Sequence, residues 1–105
     1  MTPHATVQTL NELVAYQEGA IVSRMLLKQK GGNVSLFAFD RGESLSEHTA
    51  PFDALVVVVD GTAEIEIAGT PHRVGPGQTI TLPAHVPHAV RAPERFKMLL
   101  VMVRA

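Results

Sequence analysis

The fold class this sequence predicts is all-β, a small barrel or sandwich. Three observations predict it. After residue 20 the chain divides into eight or nine short segments, none longer than nine residues, separated by Gly, Pro, Asn and Asp. Those segments alternate apolar with polar residues or run continuously through Val, Ile and Leu, as strands do. No stretch beyond residue 20 repeats apolar residues at the 3.6-residue spacing of a full-length helix.

Each element has its own reason. Residues 1–19 are polar and mixed, and Leu10, Leu13 and Val14 fall on one face of a short helix capped near Thr9 or Asn11. This segment reads as an N-terminal arm, followed by a barrel domain over residues 20–105. Ile21 to Gln29 is the first expected strand, ended by Lys30-Gly31-Gly32-Asn33, and Val34 to Phe39 the second, ended by Asp40-Arg41-Gly42. Ala54 to Val59 is continuous and β-branched, which suits a strand buried on both faces. Asp60-Gly61 then signals a two-residue hairpin turn. Thr62 to Ala68 sets Ala63, Ile65 and Ile67 against Glu64 and Glu66, one face for the core and one for water. His72 to Val74, Thr79 to Leu82, Ala89 to Arg91 and Phe96 to Val103 complete the series.

Composition narrows the function. With 105 residues, 46% of them hydrophobic, the chain suits one domain with its own core. A net charge of -1 with both signs scattered, and 5% aromatic residues, argue against nucleic acid as a partner. There is no cysteine, so disulfides, thiolate metal sites and cysteine nucleophiles are excluded. The longest apolar run, Ala54 to Val59, is too short to span a bilayer, and Met1 to Leu10 lacks the pattern of a signal peptide. A cytoplasmic protein without membrane contact is the expectation. No serine-nucleophile elbow, zinc-protease motif or phosphate-binding glycine loop is present.

The residues that carry chemistry are His48 and His88, each in a frame of turn formers. The first frame runs Gly42-x5-His48, with Asp60-Gly61 beyond it; the second runs Gly77-x5-Pro83-x4-His88. Gly42, Gly61 and Gly77 fall where turns need positive φ. Pro83 and Pro87 restrict the loop that leads into His88. Histidine is the commonest metal ligand and titrates near neutral pH. His4 and His72 read as surface residues, and Glu43 and Glu47 as solvated loop carboxylates.

In these frames the chain resembles the cupin superfamily, as a small single-domain conserved-barrel member, over roughly residues 20–104. The resemblance implies a double-stranded β-helix, that is, a jelly-roll barrel, commonly a homodimer. It also implies a four-ligand metal site of three histidines and a glutamate, around iron, manganese, nickel or zinc. Only His48 and His88 of that set are present. Ala50 stands at the second histidine, Ala54 at the glutamate, His85 at an inner glycine and Ala92 at the final asparagine. Asp53 and His85 are the residues near enough in sequence to be substitutes.

Phe37 and Phe39 share a face of their strand; so do Phe96, Met98, Leu100 and Met102, opposite Leu99, Val101 and Val103. The second face of the last strand needs a cover, from a neighbouring sheet, the arm or a second subunit. Core packing explains most of these side chains. A pocket of His48, His88, Phe39, Phe52 and Met98 would suit a small, mostly apolar ligand with one polar group. The reading is therefore a small-molecule-binding barrel with an incomplete metal set, His48 and His88, and no cofactor that the residues require. Two alternatives stand beside it. One is a metal-dependent dioxygenase, isomerase or decarboxylase acting on a small organic substrate; the other is a metal-free acid–base enzyme using His48 or His88 as base.

Overall fold

The computed structural model describes residues 5–104; His4 lies outside them. Nine strands follow one turn of 3-10 helix at Leu10–Glu12. They are β1 (Ile21–Gln29), β2 (Gly32–Phe39), β3 (Ser44–His48), β4 (Asp53–Asp60), β5 (Ala63–Ile67), β6 (Thr70–Val74), β7 (Thr79–Leu82), β8 (His88–Arg91) and β9 (Phe96–Val103). Two antiparallel sheets result, in the orders β1-β2-β9-β4-β7 and β3-β8-β5-β6. Among the described residues no helix is long and apolar enough to cross a membrane.

The core lies between the sheets. Phe37 and Phe39 of β2, Phe96 and Met98 of β9, and Ala54, Val56 and Val58 of β4 meet Ala63, Ile65 and Val90 of the second sheet. Alternation along β2, β4 and β9 sends every second side chain inward, as the sequence indicates. The strand over Ala54 to Val59 departs from expectation: its inner residues are buried, but Leu55 on the outer face is 37% exposed. Residues 10–16 cover only part of that outer face. Val14 packs there with Leu36, Ala38, Val59 and Leu99. Four hydrogen bonds hold the arm down: Lys97 Nζ donates to the Asn11 carbonyl at 2.6 Å, Arg24 to the Leu13 carbonyl at 3.3 Å, Tyr16 Oη to Asp60 at 2.5 Å and the Gly19 amide to Asp40 at 2.7 Å.

Two elements differ from the sequence reading. Asp60-Gly61 does not close a hairpin, because β4 pairs with β7 and β9 while β5 pairs with β6 and β8. It is a corner where the chain changes sheets. Gly61 has φ +68, and a Cβ there would sit 2.0 Å from the Arg95 carbonyl oxygen, so the residue must be glycine. Two-residue hairpins instead join β1 to β2 through Lys30 and Gly31, and β5 to β6 through Ala68 and Gly69, the latter two with positive φ. The second difference is β3. Ser44–His48 has one apolar residue and reads as a loop, yet it pairs with β8.

Candidate functional site

His48 ends β3 and His88 begins β8, and the two are register partners at one end of the barrel. A β-bulge brings them together. Leu45 pairs with Val90 and His48 with His88, so three steps along β3 match two along β8. Without the extra residue, Glu47 would oppose His88. The bulge instead aims His48 at the same face as Leu45 and Val90, which is the core face.

His88 is 6% exposed, while His48 is open to solvent. Their Nε2 atoms are 3.1 Å apart, and the rings meet edge to face. The other nitrogens are committed: His48 Nδ1 is 2.9 Å from the Ser46 carbonyl and His88 Nδ1 is 3.3 Å from the Val86 carbonyl. A carbonyl only accepts, so each bond requires a proton on Nδ1. Both Nε2 atoms then present lone pairs to each other. That conflict is relieved in one of three ways. One proton is shared between the rings, His88 gives up its longer carbonyl bond and changes tautomer, or a third group enters between them. The His88 pKa is pushed below its ordinary 6.5, first by burial and then by the neighbouring His48, with the Val86 carbonyl opposing.

The other candidates take other places. Asp53 does not turn toward the histidines; its Oδ1 accepts from the Ala84 amide at 2.8 Å. His85 sits on the rim with φ +65, in the left-handed region that explains a glycine at this point of the family motif. Its backbone amide donates to the Ala50 carbonyl at 2.8 Å. Asp53 and Ala50 thus fix the loop that presents His88. Ala54 is buried beside Leu82 and Met102. Among the described residues no group of three His, Cys, Asp or Glu side chains comes together.

Of the apolar side chains named for the pocket, Phe39 is fully buried and stacked on Phe96, ring centres 4.5 Å apart, where β2 ends and β9 begins. That is the opposite end of the strands from the histidines. Met98 pairs with Phe37 in mid-barrel and is 2% exposed. Phe52 is at the mouth, under the guanidinium of Arg104 at 5.4 Å. Asn33 and Ser35 were not singled out by sequence. Alternation along β2 points them inward near the mouth, beside Met102 and Leu100. Ser35 Oγ contacts Met25 Sδ at 3.4 Å, and Asn33 Oδ1 is buried with no hydrogen-bond partner.

The donor set does not meet the needs of a resident metal. The Nε2 separation would fit two neighbouring positions on an ion, at about 95° for a metal–nitrogen distance of about 2.1 Å. A stable site wants at least three protein ligands, and the other two family positions hold methyl groups while Asp53 is engaged elsewhere.

Comparison with known proteins agrees with the architecture. Residues 35–104 match the family model of the cupin domain. Among solved structures, the conserved SPY1581 protein of unknown function from Streptococcus pyogenes is 38% identical. It matches with a TM-score of 0.92 over 99% of this chain and 91% of its own. A cupin 2 conserved barrel domain protein from Leptotrichia buccalis is 45% identical, with a TM-score of 0.87 over 90% of this chain and 46% of its own. A cupin superfamily protein from Desulfitobacterium hafniense is 30% identical, with a TM-score of 0.91 over 98% and 94%. No curated protein matches the sequence significantly. The glycine and proline frame, the two interlocked sheets and the paired histidines at one barrel end together place this chain in the cupin superfamily, with the double-stranded β-helix fold.

Proposed function

We propose that this cupin binds a small molecule at the barrel mouth, with a polar group of the ligand engaging the Nε2 edge of the His48–His88 pair. The observation that carries the reading is that pair of Nε2 atoms, 3.1 Å apart with both Nδ1 atoms committed to carbonyls. A ligand hydroxyl or acid proton entering there removes the lone-pair conflict, and Leu100, Met102 and Phe37 offer apolar contact below. The test is a thermal-shift and NMR screen of small polar metabolites. A binder that perturbs the His48 and His88 ring signals, and is lost in His48→Ala and His88→Gln, supports it. Binders that are indifferent to both substitutions refute it.

The rival reading is a metal-dependent enzyme on a small organic substrate. It is favoured by the Nε2 spacing alone, which suits two neighbouring metal positions. Metal analysis of protein purified without chelator or nickel resin decides between them. Near-stoichiometric iron, manganese, nickel or zinc that disappears in both histidine variants would establish the rival.

We also propose a homodimer through the uncovered outer face of the first sheet, where Leu27 and Val103 are 58% and 57% exposed beside Leu55. Apolar strips of this kind are usually covered. A monomer by sedimentation at all concentrations would dismiss the dimer.

A further inference from the structure

The polar chemistry of the mouth is not confined to the histidines. A cleft of about 430 Å³ opens at the β1–β2 hairpin, lined by Lys28, Gln29, Lys30, Gly32, Asn33 and Arg104. Three of the nine lysines and arginines of a chain with net charge -1 converge on it, and no carboxylate lines it. Elsewhere Arg91 pairs with Glu64 and Glu66 and Arg95 with Asp40, Arg24 and Lys97 donate to carbonyls of the arm, and Arg41 and Arg73 line clefts that also hold Glu94. Among the described residues Lys28, Lys30 and Arg104 form no ion pair.

The cleft is built as well as charged. Lys28 and Asn33 are register partners, so they share a face, and alternation along β2 makes it the face that Ser35 and Phe37 direct into the barrel. Arg104 is held from two sides: its amide donates to the Gly31 carbonyl at 2.7 Å, and its guanidinium lies over Phe52. Like charges gathered without a counter-charge cost energy unless something neutralises them. An independent second sign is Asn33, whose buried Oδ1 has no partner. Such an acceptor is expensive to leave unmet; it is closed to solvent in this conformation, and rotation of the side-chain amide into the cleft brings it to a ligand hydroxyl.

The cleft also belongs to the mouth. Gly32, Val103 and Asp53 form one row across β2, β9 and β4. Asp53 then holds Ala84, in the loop that leads to His88.

We propose that this cleft is an oxyanion site. It takes the carboxylate or phosphate of a small ligand that carries a neighbouring hydroxyl, with Lys28, Lys30 and Arg104 on the anion and Asn33 on the hydroxyl. This rests on the small-molecule reading above and names the ligand class.

The test titrates inorganic phosphate, succinate and malate separately into the isotopically labelled full chain at fixed ionic strength, following backbone amides. Saturable shifts should centre on residues 28–33 and Arg104. Lys28→Gln and Arg104→Gln should each weaken binding about tenfold, as expected when one charge-assisted hydrogen bond is lost. Malate should bind more tightly than succinate, and Asn33→Ala should erase that difference while leaving the melting temperature unchanged or higher. Phosphate without the dicarboxylates identifies a phosphate ligand, and the dicarboxylates without phosphate a carboxylate ligand.

Shifts as strong at Arg41 and Arg73, or affinities unchanged in both charge variants, overturn the site. If malate holds no advantage, the role of Asn33 falls. The two proposals fail separately. Cleft binding with no ligand sensitive to His48 leaves the oxyanion site and removes the histidine reading. A His48-dependent ligand indifferent to Lys28 and Arg104 does the reverse.

Discussion

Phe39 and Phe96 at one end of the barrel, and His48 and His88 at the other, sit on the same folded scaffold in opposite circumstances. At the closed end the aromatic rings are sealed and stacked. Arg95 binds Asp40, whose carboxyl is held down to about 2 by that guanidinium and by the Gly19 amide. Tyr16 donates to Asp60, and its hydroxyl pKa is pushed up, first by burial and then by that hydrogen bond. At the mouth several polar groups lack a complementary partner: the His48–His88 contact needs a shared proton, a tautomer change or a third group, Asn33 Oδ1 lacks a donor, and cations gather without an acid. The difference teaches where each task resides. The closed end pairs Arg95 with Asp40 and Tyr16 with Asp60, whereas the mouth carries acceptors and cations for which the proposed ligand would be the partner.

Substitutions at the two ends should therefore differ in kind. Phe96→Ala empties a fully enclosed, stacked position and should lower unfolding stability by about 3–5 kcal/mol in urea titration. A loss under about 1 kcal/mol would show that the closed end is not the stability centre. Gly61→Ala forces a Cβ toward the Arg95 carbonyl at a positive φ and should cost on the order of 2 kcal/mol or more. Tyr16→Phe removes one hydrogen bond that ties down the arm and should cost about 1 kcal/mol. At the rim, His85→Gly should be neutral or stabilising by up to ~1 kcal/mol, because glycine adopts φ +65 without strain. A clear destabilisation would give the His85 ring a structural role.

pH separates the ends further. His88 has a lowered pKa when folded, so the unfolded chain binds its proton first. The stability from neutral His88 is intact above about 6.5 and is lost as pH falls through the lowered folded value. Asp40 runs lower: its contribution is intact above 3.8 and is lost as pH falls through about 2. In His48→Ala, NMR titration should show the His88 pKa rising toward 6.5 without reaching it, since burial is the larger cause. No rise at all would break the coupling assigned to the pair.

The sequence made much of this visible. Alternation in residues 63–67 and 96–103 identified the core face, and the spacing from Gly42 to His48 and from Gly77 to His88 identified the family and the pair. Gly42, Gly61 and Gly77 all have the positive φ expected of them. Other features were hidden for physical reasons. Turn chemistry reports a backbone angle and not which strand pairs next, so the sheet-changing corner at Asp60-Gly61 read as a hairpin. A bulge leaves no mark in composition, so the re-aiming of His48 past Glu47 could not be read. Outer-face burial depends on where the arm docks, which left Leu55 more exposed than its β-branched neighbourhood suggested. Arg104 joins Lys28 and Lys30 only through the β2–β9 ladder, so the basic cleft is invisible in a chain whose charges are scattered.

The strand order of the larger sheet has a consequence for synthesis. Its middle strand, β9, is the final strand of the barrel, flanked by β2 and β4. Until the ribosome has released residues 96–103, both neighbours expose unpaired backbone edges, and the inner faces of Phe37, Phe39, Val56 and Val58 have no central partner. The β1–β2 hairpin can form early, but the barrel cannot close by stages from the N-terminus. Folding must wait for long-range pairing of almost the whole chain, the slow and aggregation-exposed route. Prematurely terminated chains lacking β9 are thus expected to be held by chaperones or degraded rather than to persist as partial barrels.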